Sequence, residues 1–416
     1  MVLNYLWICF FLIAFVLALV RLVFAGDTDV FKNLMEGIFT SAKSGVDISL
    51  GLIGVMSLFL GFLNIGEKAG AVRLLSKIVG PFFNKLFPEV PRNHPAIGHM
   101  MMNFSANLLN LDNAATPFGL KSMASLQELN PNKETASNAQ IMFMVLHASG
   151  LTIIPVNIIA QRVILQSNNP VEIFIPCVIC TFMATMVAIS VTAIWQRFSW
   201  NQWKTIMVVG AVGSLLLGGM AFYMRYVLTN ESADTFSKVV SNGLIMLFFI
   251  LMILGGLYKK IDVFSSFIEG AKQGFEVAVK IIPYLVGMLV AISALRSSGA
   301  FDYILQGLSW VFSNLGFDTK FVEALPTALM RPFSGAASRG MMIDTMRVSG
   351  PDSFVGRLSC LFQGSADTTF YIVALYFGSV GIKNSRYAIS ASLIADLAAV
   401  VTAVLIAYNW PWSTPG

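Results

Sequence analysis

The chain has 416 residues, of which 56% are hydrophobic and only 12% charged, with a net charge of +5 and a mean hydropathy of +0.73. This composition excludes an ordinary soluble domain, in which about a quarter of the residues are charged. The positive charge is small and dispersed, with no basic cluster interleaved with aromatics, so nucleic acid is not an expected partner; it suits the Lys/Arg excess of cytoplasmic loops.

Apolar runs long enough to cross a bilayer are predicted at 2–20, 46–65, 139–162, 172–195, 205–228, 241–258, 278–295, 355–379 and 387–408. The expected fold class is an all-α polytopic membrane protein. The first run lacks a basic start and is followed by Arg21, so it reads as a retained anchor rather than a signal peptide.

After that run comes DVFKNLMEG at 29–37, which returns as DVFSSFIEG at 262–270, a spacing of 233. Asp29, Val30, Phe31, Glu36 and Gly37 recur as Asp262, Val263, Phe264, Glu269 and Gly270. The correspondence continues with Phe104 and Ser105 on Phe333 and Ser334. After a polar insertion at Lys121–Lys133, Ser149, Thr152 and Asn168 fall on Ser365, Thr368 and Asn384 at a spacing of 216. The chain thus divides into a first repeat at 1–196, a linker at 197–240 containing a transmembrane helix at 205–228, and a second repeat at 241–416. Each repeat is predicted to hold a crossing helix, an amphipathic stretch with the DVF motif, a second crossing and an interfacial helix. In the first repeat the interfacial helix is 67–87, where Glu67, Lys68, Arg73, Lys77 and Lys85 alternate with apolar pairs at helical spacing.

A polar, interrupted segment follows in each repeat, at 95–120 and 324–347. Both are too polar for a lipid-facing helix and too apolar for a loop. Such backbone persists at membrane depth only where it is buried in protein or lines a cavity. Re-entrant hairpins centred near 103–117 and 331–345 give each repeat four crossings, and the single linker helix then inverts the second repeat. The distribution of Lys and Arg favours this over five crossings and parallel repeats.

The candidate substrate-binding residues lie in and after these hairpins. The first carries Asn103, Ser105, Asn107, Asn110, Asp112, Asn113 and Thr116, ahead of Pro117 and Gly119. Amides and hydroxyls gathered in this way can read a polar ligand by hydrogen bonds, or hold unwound backbone together. The second carries Arg331, Ser334 and Arg339, with Asp344 and Arg347 nearby. Ionisable groups at such depth are costly and mark function; the structural alternative is an internal pair such as Arg339 with Asp344. A third group starts the helix after each hairpin: His147, Ser149, Thr152 and Pro155 in one repeat, and Gln363, Ser365, Asp367, Thr368 and Thr369 in the other. Hydroxyls beside a half-helix end can hold a carboxylate, a phosphate or a sugar hydroxyl, although Ser and Thr in membrane helices also serve as interhelical glue. Asp367 is the candidate ion-coupling or proton-carrying carboxylate.

No cofactor and no resident metal are expected. Cys177 and Cys180 form a CxxC without a second pair or a nearby histidine. Together with Cys9 and Cys360 they read as buried small apolar residues. His94 and His99 bracket Pro95, which denies them i,i+4 ligation. The hydrolase signatures GxSxG and HExxH, a P-loop and a dinucleotide loop are all missing, so the chain does not read as an enzyme, and any energy would come from an ion gradient.

Two long motifs carry a resemblance. NFSANLLNLDNAATPFGLKSMASLQELNP at 103–131 resembles the hallmark of the spore maturation protein A family, and GRLSCLFQGSADTTFYIVALYFGSVGIKNSRYA at 356–388 that of the B family. The chain therefore resembles a natural fusion of the two, with the linker helix belonging to the fusion. Both families carry the nucleoside recognition, or Gate, domain, which also occurs in concentrative nucleoside transporters and in the membrane part of ferrous-iron transporters. The resemblance implies a transport fold with hairpins, and a spore-maturation name that records a role in core dehydration. It does not specify a solute.

Three functions are open at this stage. One is ion-coupled secondary transport of a small polar or anionic solute, such as a nucleoside or carboxylate, with Na+ or H+ as coupling cation. The second is a non-transporting scaffold or ligand sensor with a dry, ion-paired centre. The third is a divalent metal permease, which needs His99, His147 and Asp112 or Asp367 to converge. The expected location is the bacterial cytoplasmic (inner) membrane, with membrane lipid as partner, and the sequence allows a homo-oligomer.

Overall fold

A computed structural model describes residues 2–110, 112–223, 227 and 230–412, with side chains for all of these except 2–4, 6, 112–114, 230–234, 237 and 238. The first half contains α1 (Val2–Ala25), α2 (Val30–Ala69), α3 (Ala71–Leu86), α4 (Pro95–Leu108), α5 (Asp112–Leu129), α6 (Asn138–Ala148), α7 (Val156–Ile164) and α8 (Phe174–Trp195). Then come α9 (Trp200–Phe222) and α10 (Asn230–Tyr258). The second half contains α11 (Val263–Ser297), α12 (Ala300–Asn314), a 3-10 turn at Lys320–Ala324, α13 (Leu325–Met330), α14 (Gly335–Ser349), α15 (Phe354–Gly364), α16 (Thr369–Ser379) and α17 (Ala388–Asn409). Among the described residues no strand forms beyond one isolated bridge between Thr135 and Asn384. Seven helices, α1, α2, α8, α9, α10, α11 and α17, contain stretches long and apolar enough to cross a bilayer. The chain is an all-α, multi-pass membrane protein.

Predicted boundaries change in two ways. Each DVF stretch is continuous with the crossing after it, giving single helices of 40 residues (α2) and 35 residues (α11). At 1.5 Å per residue α2 is about 60 Å long, roughly twice the hydrocarbon thickness, so its amphipathic end extends past the apolar layer. Asp262 caps α11 by accepting from Ser265 N at 2.9 Å, whereas Asp29 makes no such bond. The opposite change occurs at 139–162 and 355–379, each predicted as one crossing. The first is divided into α6 and α7, with Gly150 at φ +64° in the break and Pro155, which has no N–H, ahead of α7. The second is divided into α15 and α16 by the polar run Ser365–Thr368.

The long helices α2 and α11 pack along each other in opposite directions. Gly37 lies against Ser293 and Ser297, Gly45 against Val286, and Gly61 against Phe267. Coming from the other side, Gly270 lies against Leu60 and Asn64, and Gly274 against Ser57. Small residues bring the backbones close enough for side chains to reach main chain: Ser57 Oγ donates to Ala271 O at 2.9 Å and Asn64 Nδ2 to Ser266 O at 2.7 Å. Close packing of this kind is what holds helices together where lipid is as apolar as the side chains.

α4 and α5 fold back on each other as a hairpin, tied by His99 Nδ1 to Ser125 Oγ at 3.0 Å. α13 and α14 form a second hairpin, tied by Ser338 Oγ to Thr327 O at 2.8 Å. α3 buries Val72, Ser76, Gly80, Phe83 and Leu86 and packs on α4, while its charged residues Arg73, Lys77 and Lys85 are exposed. α9 is exposed or half-buried along its length, with Ile206 its one buried residue. Cys177, Cys180 and Cys360 are buried as expected, but Cys9 is exposed on α1.

The two halves are clamped at both ends. At one end Arg162, fully buried, donates to Glu172 (2.6 Å), Asp352 (2.8 Å) and Pro351 O (2.7 Å), and Arg357 donates to Glu172 at 2.7 Å. At the other end Lys383 pairs with Glu134 at 2.6 Å, and Arg386 donates to Asn138 at 3.0 Å, both in exposed positions.

Candidate functional site

The two helix breaks meet. Asp367 N donates to Ala148 O at 2.9 Å, joining the end of α6 to the start of α16. Gly150 approaches so closely that a Cβ there would lie 3.0 Å from Asp367 N and 3.1 Å from the Ala366 carbonyl carbon. Each hairpin tip is bonded to the break in its own half: Ile153 N donates to Leu108 O at 2.9 Å, and Phe370 N to Pro332 O at 3.0 Å. Arg331 donates from Nε to Ala366 O at 2.8 Å and also reaches it through Nη2. The carbonyls freed by interrupting the helices are therefore largely satisfied by neighbouring segments, as buried main chain requires.

A cavity of about 920 Å³ opens around this crossing. Ile281, Tyr284 and Leu285, near the midpoint of α11, form one wall, which sets the cavity at about half the depth of that helix. The hairpins and breaks supply the rest. Of the residues expected to bind substrate, Asn107, Asn110, Thr116, Arg331, Ser334, Arg339, Gln363, Asp367 and Thr368 line it. His147, Thr152 and Pro155 line it as well.

Four expected residues lie outside the lining. Asn103 is buried and donates to Ala115 O at 2.6 Å. Ser105 turns toward α3, with its Oγ 3.1 Å from Ser76 Oγ. Ser365 bonds back to Phe362 O at 3.0 Å, and Thr369 donates to Asp396 at 2.7 Å. Asn103, Ser105 and Thr369 are consumed in tying helices together, the role of interhelical glue, whereas Ser365 is tied to the end of its own helix. The side chains of Asp112 and Asn113 lie outside the described residues. Asn110 sits at φ +57° in the connection after α4, beyond the helix that carries Asn103 and Asn107.

His147 is at the last turn of α6, not at the start of a helix, and organises the wall. Its Nδ1 lies 2.7 Å from Asn107 Nδ2 and 3.0 Å from Asn103 Oδ1, so the ring nitrogen either accepts from the first or donates to the second. Its Nε2 lies 3.3 Å from Tyr376 Oη and 3.9 Å from Asp367 Oδ2. Asp367 is 42% exposed, toward the cavity, and its Oδ1 accepts from Thr368 N at 2.7 Å. The lining thus contains a carboxylate, two guanidinium groups, amides and hydroxyls. Ser334 caps α14, accepting from Ala337 N at 3.1 Å, and the starts of α14 and α16 turn their positive ends toward the site.

Sequence reasoning missed several features. Phe333 and Phe370 stack in the lining with centroids 5.1 Å apart, and Tyr371, Tyr284 and Asn157 also contribute. Asp344 accepts from Arg296 of α11 at 2.6 Å, a partner that the sequence reading did not name. His99 bonds Ser125 and does not line the cavity, and among the described residues no three His, Cys, Asp or Glu side chains converge as metal ligands. The convergence that a metal permease needs is therefore not formed by His99 and His147.

The sequence model of the nucleoside recognition (Gate) family matches twice, at residues 49–195 and 278–383, and so takes in both hairpins and both helix breaks. The chain belongs to the Gate family. Spore maturation protein B of Bacillus subtilis (strain 168) is 50% identical over 155 residues, which are 37% of this chain and 85% of that relative. Spore maturation protein A of the same organism is 37% identical over 173 residues, 42% of this chain and 88% of the relative. The two relatives match separate parts of the chain, the arrangement of a fusion. No solved structure matches it.

Proposed function

We propose that this Gate protein is a secondary transporter of a small polar or anionic solute, a nucleoside or a carboxylate, in the bacterial cytoplasmic membrane. The observation that carries this reading is the cavity of about 920 Å³ at the crossing of two broken helices. Its volume suits a solute of that size, and interrupted helices at mid-depth are the architecture in which transporters hold substrates. Arg331 and Arg339 offer donors to a carboxylate. The stacked Phe333 and Phe370, with Asn107, Asn110 and Thr116, offer a face for a base and partners for sugar hydroxyls. A scaffold with a dry centre fits the same cavity poorly.

In this reading residues 1–196 and 241–416 are two inverted copies joined by the linker at 197–240, and the hairpins are re-entrant. The antiparallel course of α2 and α11, the helices that carry the two DVF motifs, supports the inversion: Gly37 meets Ser297, and the equivalent residues Gly270 and Asn64 meet in the same way. Opening alternates between the clamped ends as one copy moves against the other, with solute held between the hairpin tips and the Asp367–Thr369 segment. The experiment is uptake of radiolabelled uridine and succinate by vesicles reconstituted with the purified protein. Saturable uptake of either supports transport, and the preferred probe assigns the solute class.

A further inference from the structure

Behind the cavity wall lies a polar group that the site above does not use. Asp396 stands on the buried stripe of α17 with Ala388, Ala391, Ser392, Ala395 and Ala399, and is only 7% exposed. Its Oδ2 accepts from Thr369 Oγ1 at 2.7 Å. Its Oδ1 is shut off from solvent and has no hydrogen-bond partner. One turn earlier, Ser392 is 1% exposed and its Oγ is likewise buried without a partner. Residues at i and i+4 share a helix face. A buried structural aspartate normally has both oxygens engaged, and an ionised oxygen left without a donor is costly.

We propose that Asp396 Oδ1 takes up and releases one proton as the solute moves, which makes Asp396, not Asp367, the coupling carboxylate; this rests on the transport reading above. Asp367 is a poor candidate because it opens into the cavity and is already held by Thr368 N. The charged or titratable groups facing Asp396 come from several elements. They are Arg331 at the second hairpin, Asp367 in the helix break, and His147 on α6, 3.9 Å from Asp367. α16, which Thr369 starts, also carries Tyr371 and Tyr376; α15, packed on α17, carries Cys360 and, away from Asp396 beside Trp412, Arg357, held by Glu172. α8, which packs closely along α17, has no charged residue, and its thiols are Cys177 and Cys180.

A proton fits the site better than a metal cation. A hard cation gathers six or more oxygens, whereas the two unpartnered oxygens here are one carboxylate oxygen and one hydroxyl. When protonated, Oδ1–H becomes a donor one turn from the Ser392 hydroxyl; release requires the Thr368–Thr369 segment to move and admit cavity water to Oδ1, which takes the proton while the carboxylate keeps its bond from Thr369. Thr369 is the first residue of α16, and its neighbour Thr368 lines the cavity. The protonation state is thus one residue removed from the solute. At the spacing of 216, Asp396 corresponds to Cys180, so the first half has no equivalent carboxyl.

Infrared difference spectroscopy of the membrane-reconstituted protein across a pH titration tests the proton site without reference to any solute. The expected result is a protonated-carboxyl stretch that titrates in the wild type, is lost in Asp396→Asn and remains in Asp367→Asn. Should Asp396→Asn not purify as a monodisperse protein, Asp396→Glu must retain the band at a shifted frequency. A titrating band that survives in Asp396→Asn, disappears in Asp367→Asn, or is missing from the wild type overturns the proposal. If the band depends on Asp396 while uridine and succinate uptake are both undetectable, the proton site stands and the transport reading falls.

Discussion

The amide of Asp367 donates to the carbonyl of Ala148 at 2.9 Å, so the helix breaks in the two halves of the chain are bonded to each other. The contact works only because Gly150, next but one to Ala148, has a positive φ and no side chain. The polar wall of the cavity is built outward from this bond.

Gly150→Ala tests that dependence. The left-handed conformation alone costs an L-residue about 1–2 kcal/mol, and the new Cβ would press on main-chain atoms of Ala366 and Asp367. Gly26→Ala is the matched control, with φ +67° and open space around its Cβ position. Thermal unfolding in detergent should show a clearly larger loss for Gly150→Ala. Equal losses would mean that the crossing tolerates separation.

The α2–α11 pairing makes a second prediction. Gly270→Ala and Gly274→Ala press a Cβ onto Leu60 O and Ser57 N respectively, both main-chain atoms. Each should destabilise the protein by about 1–3 kcal/mol, the usual cost of overpacking. Gly54→Ala, with nothing near it, should be neutral or slightly stabilising. The same melting assay distinguishes them.

The buried and exposed clamps should differ sharply. Glu172→Gln leaves the Arg162 and Arg357 guanidinium groups short of an anion in a site where Arg162 is fully buried. The expected loss is about 3–5 kcal/mol. Lys383→Ala removes an exposed pair and should cost at most about 1 kcal/mol. A stability difference between the two variants in the opposite order would contradict the assignment of the inner clamp as the stronger tie.

That clamp also predicts an acid limb. Burial pushes the Asp352 carboxyl up, but the Ser167 hydroxyl, the Asn168 amide and Arg162 together hold it below its ordinary 3.8. A depressed folded-state value means that the contribution to stability is complete above 3.8 and is lost as pH falls through the lower, folded value. Asp352→Asn should lower stability at neutral pH and flatten this part of the acid limb in unfolding measured against pH.

Much of this architecture was legible in the sequence because it depends on local signals. The apolar runs and the two polar interruptions are composition and spacing, and the packed pairs α4–α5 and α13–α14 form at those interruptions. Features that depend on distant partners were not legible. Arg162, Glu172, Asp352 and Arg357 are separated by up to 195 positions, and nothing in the local pattern of any one of them announces the cluster. Asp396 is a single charge inside an apolar run, and its orphaned oxygen is visible only once Thr369 is placed beside it. The helix breaks at Gly150 and Ser365–Thr368 were missed because the apolar runs 139–162 and 355–379 are long enough to span, and that length outweighed the local signals of Gly150, Pro155 and the polar run Ser365–Thr368. Asn103 and Ser105 show the converse, polar residues read as lining that instead hold α5 and α3.

The central claim is that the cavity at the crossing carries solute. The most direct measurement is uptake of radiolabelled uridine and succinate by vesicles containing either wild-type protein or Ala336→Trp, in which an indole fills the cavity from the first turn of α14. The account predicts saturable uptake of at least one probe by the wild type, and its loss in a variant that still folds and melts like the wild type. Uptake that is equal in both proteins, or no different from empty vesicles, would contradict it.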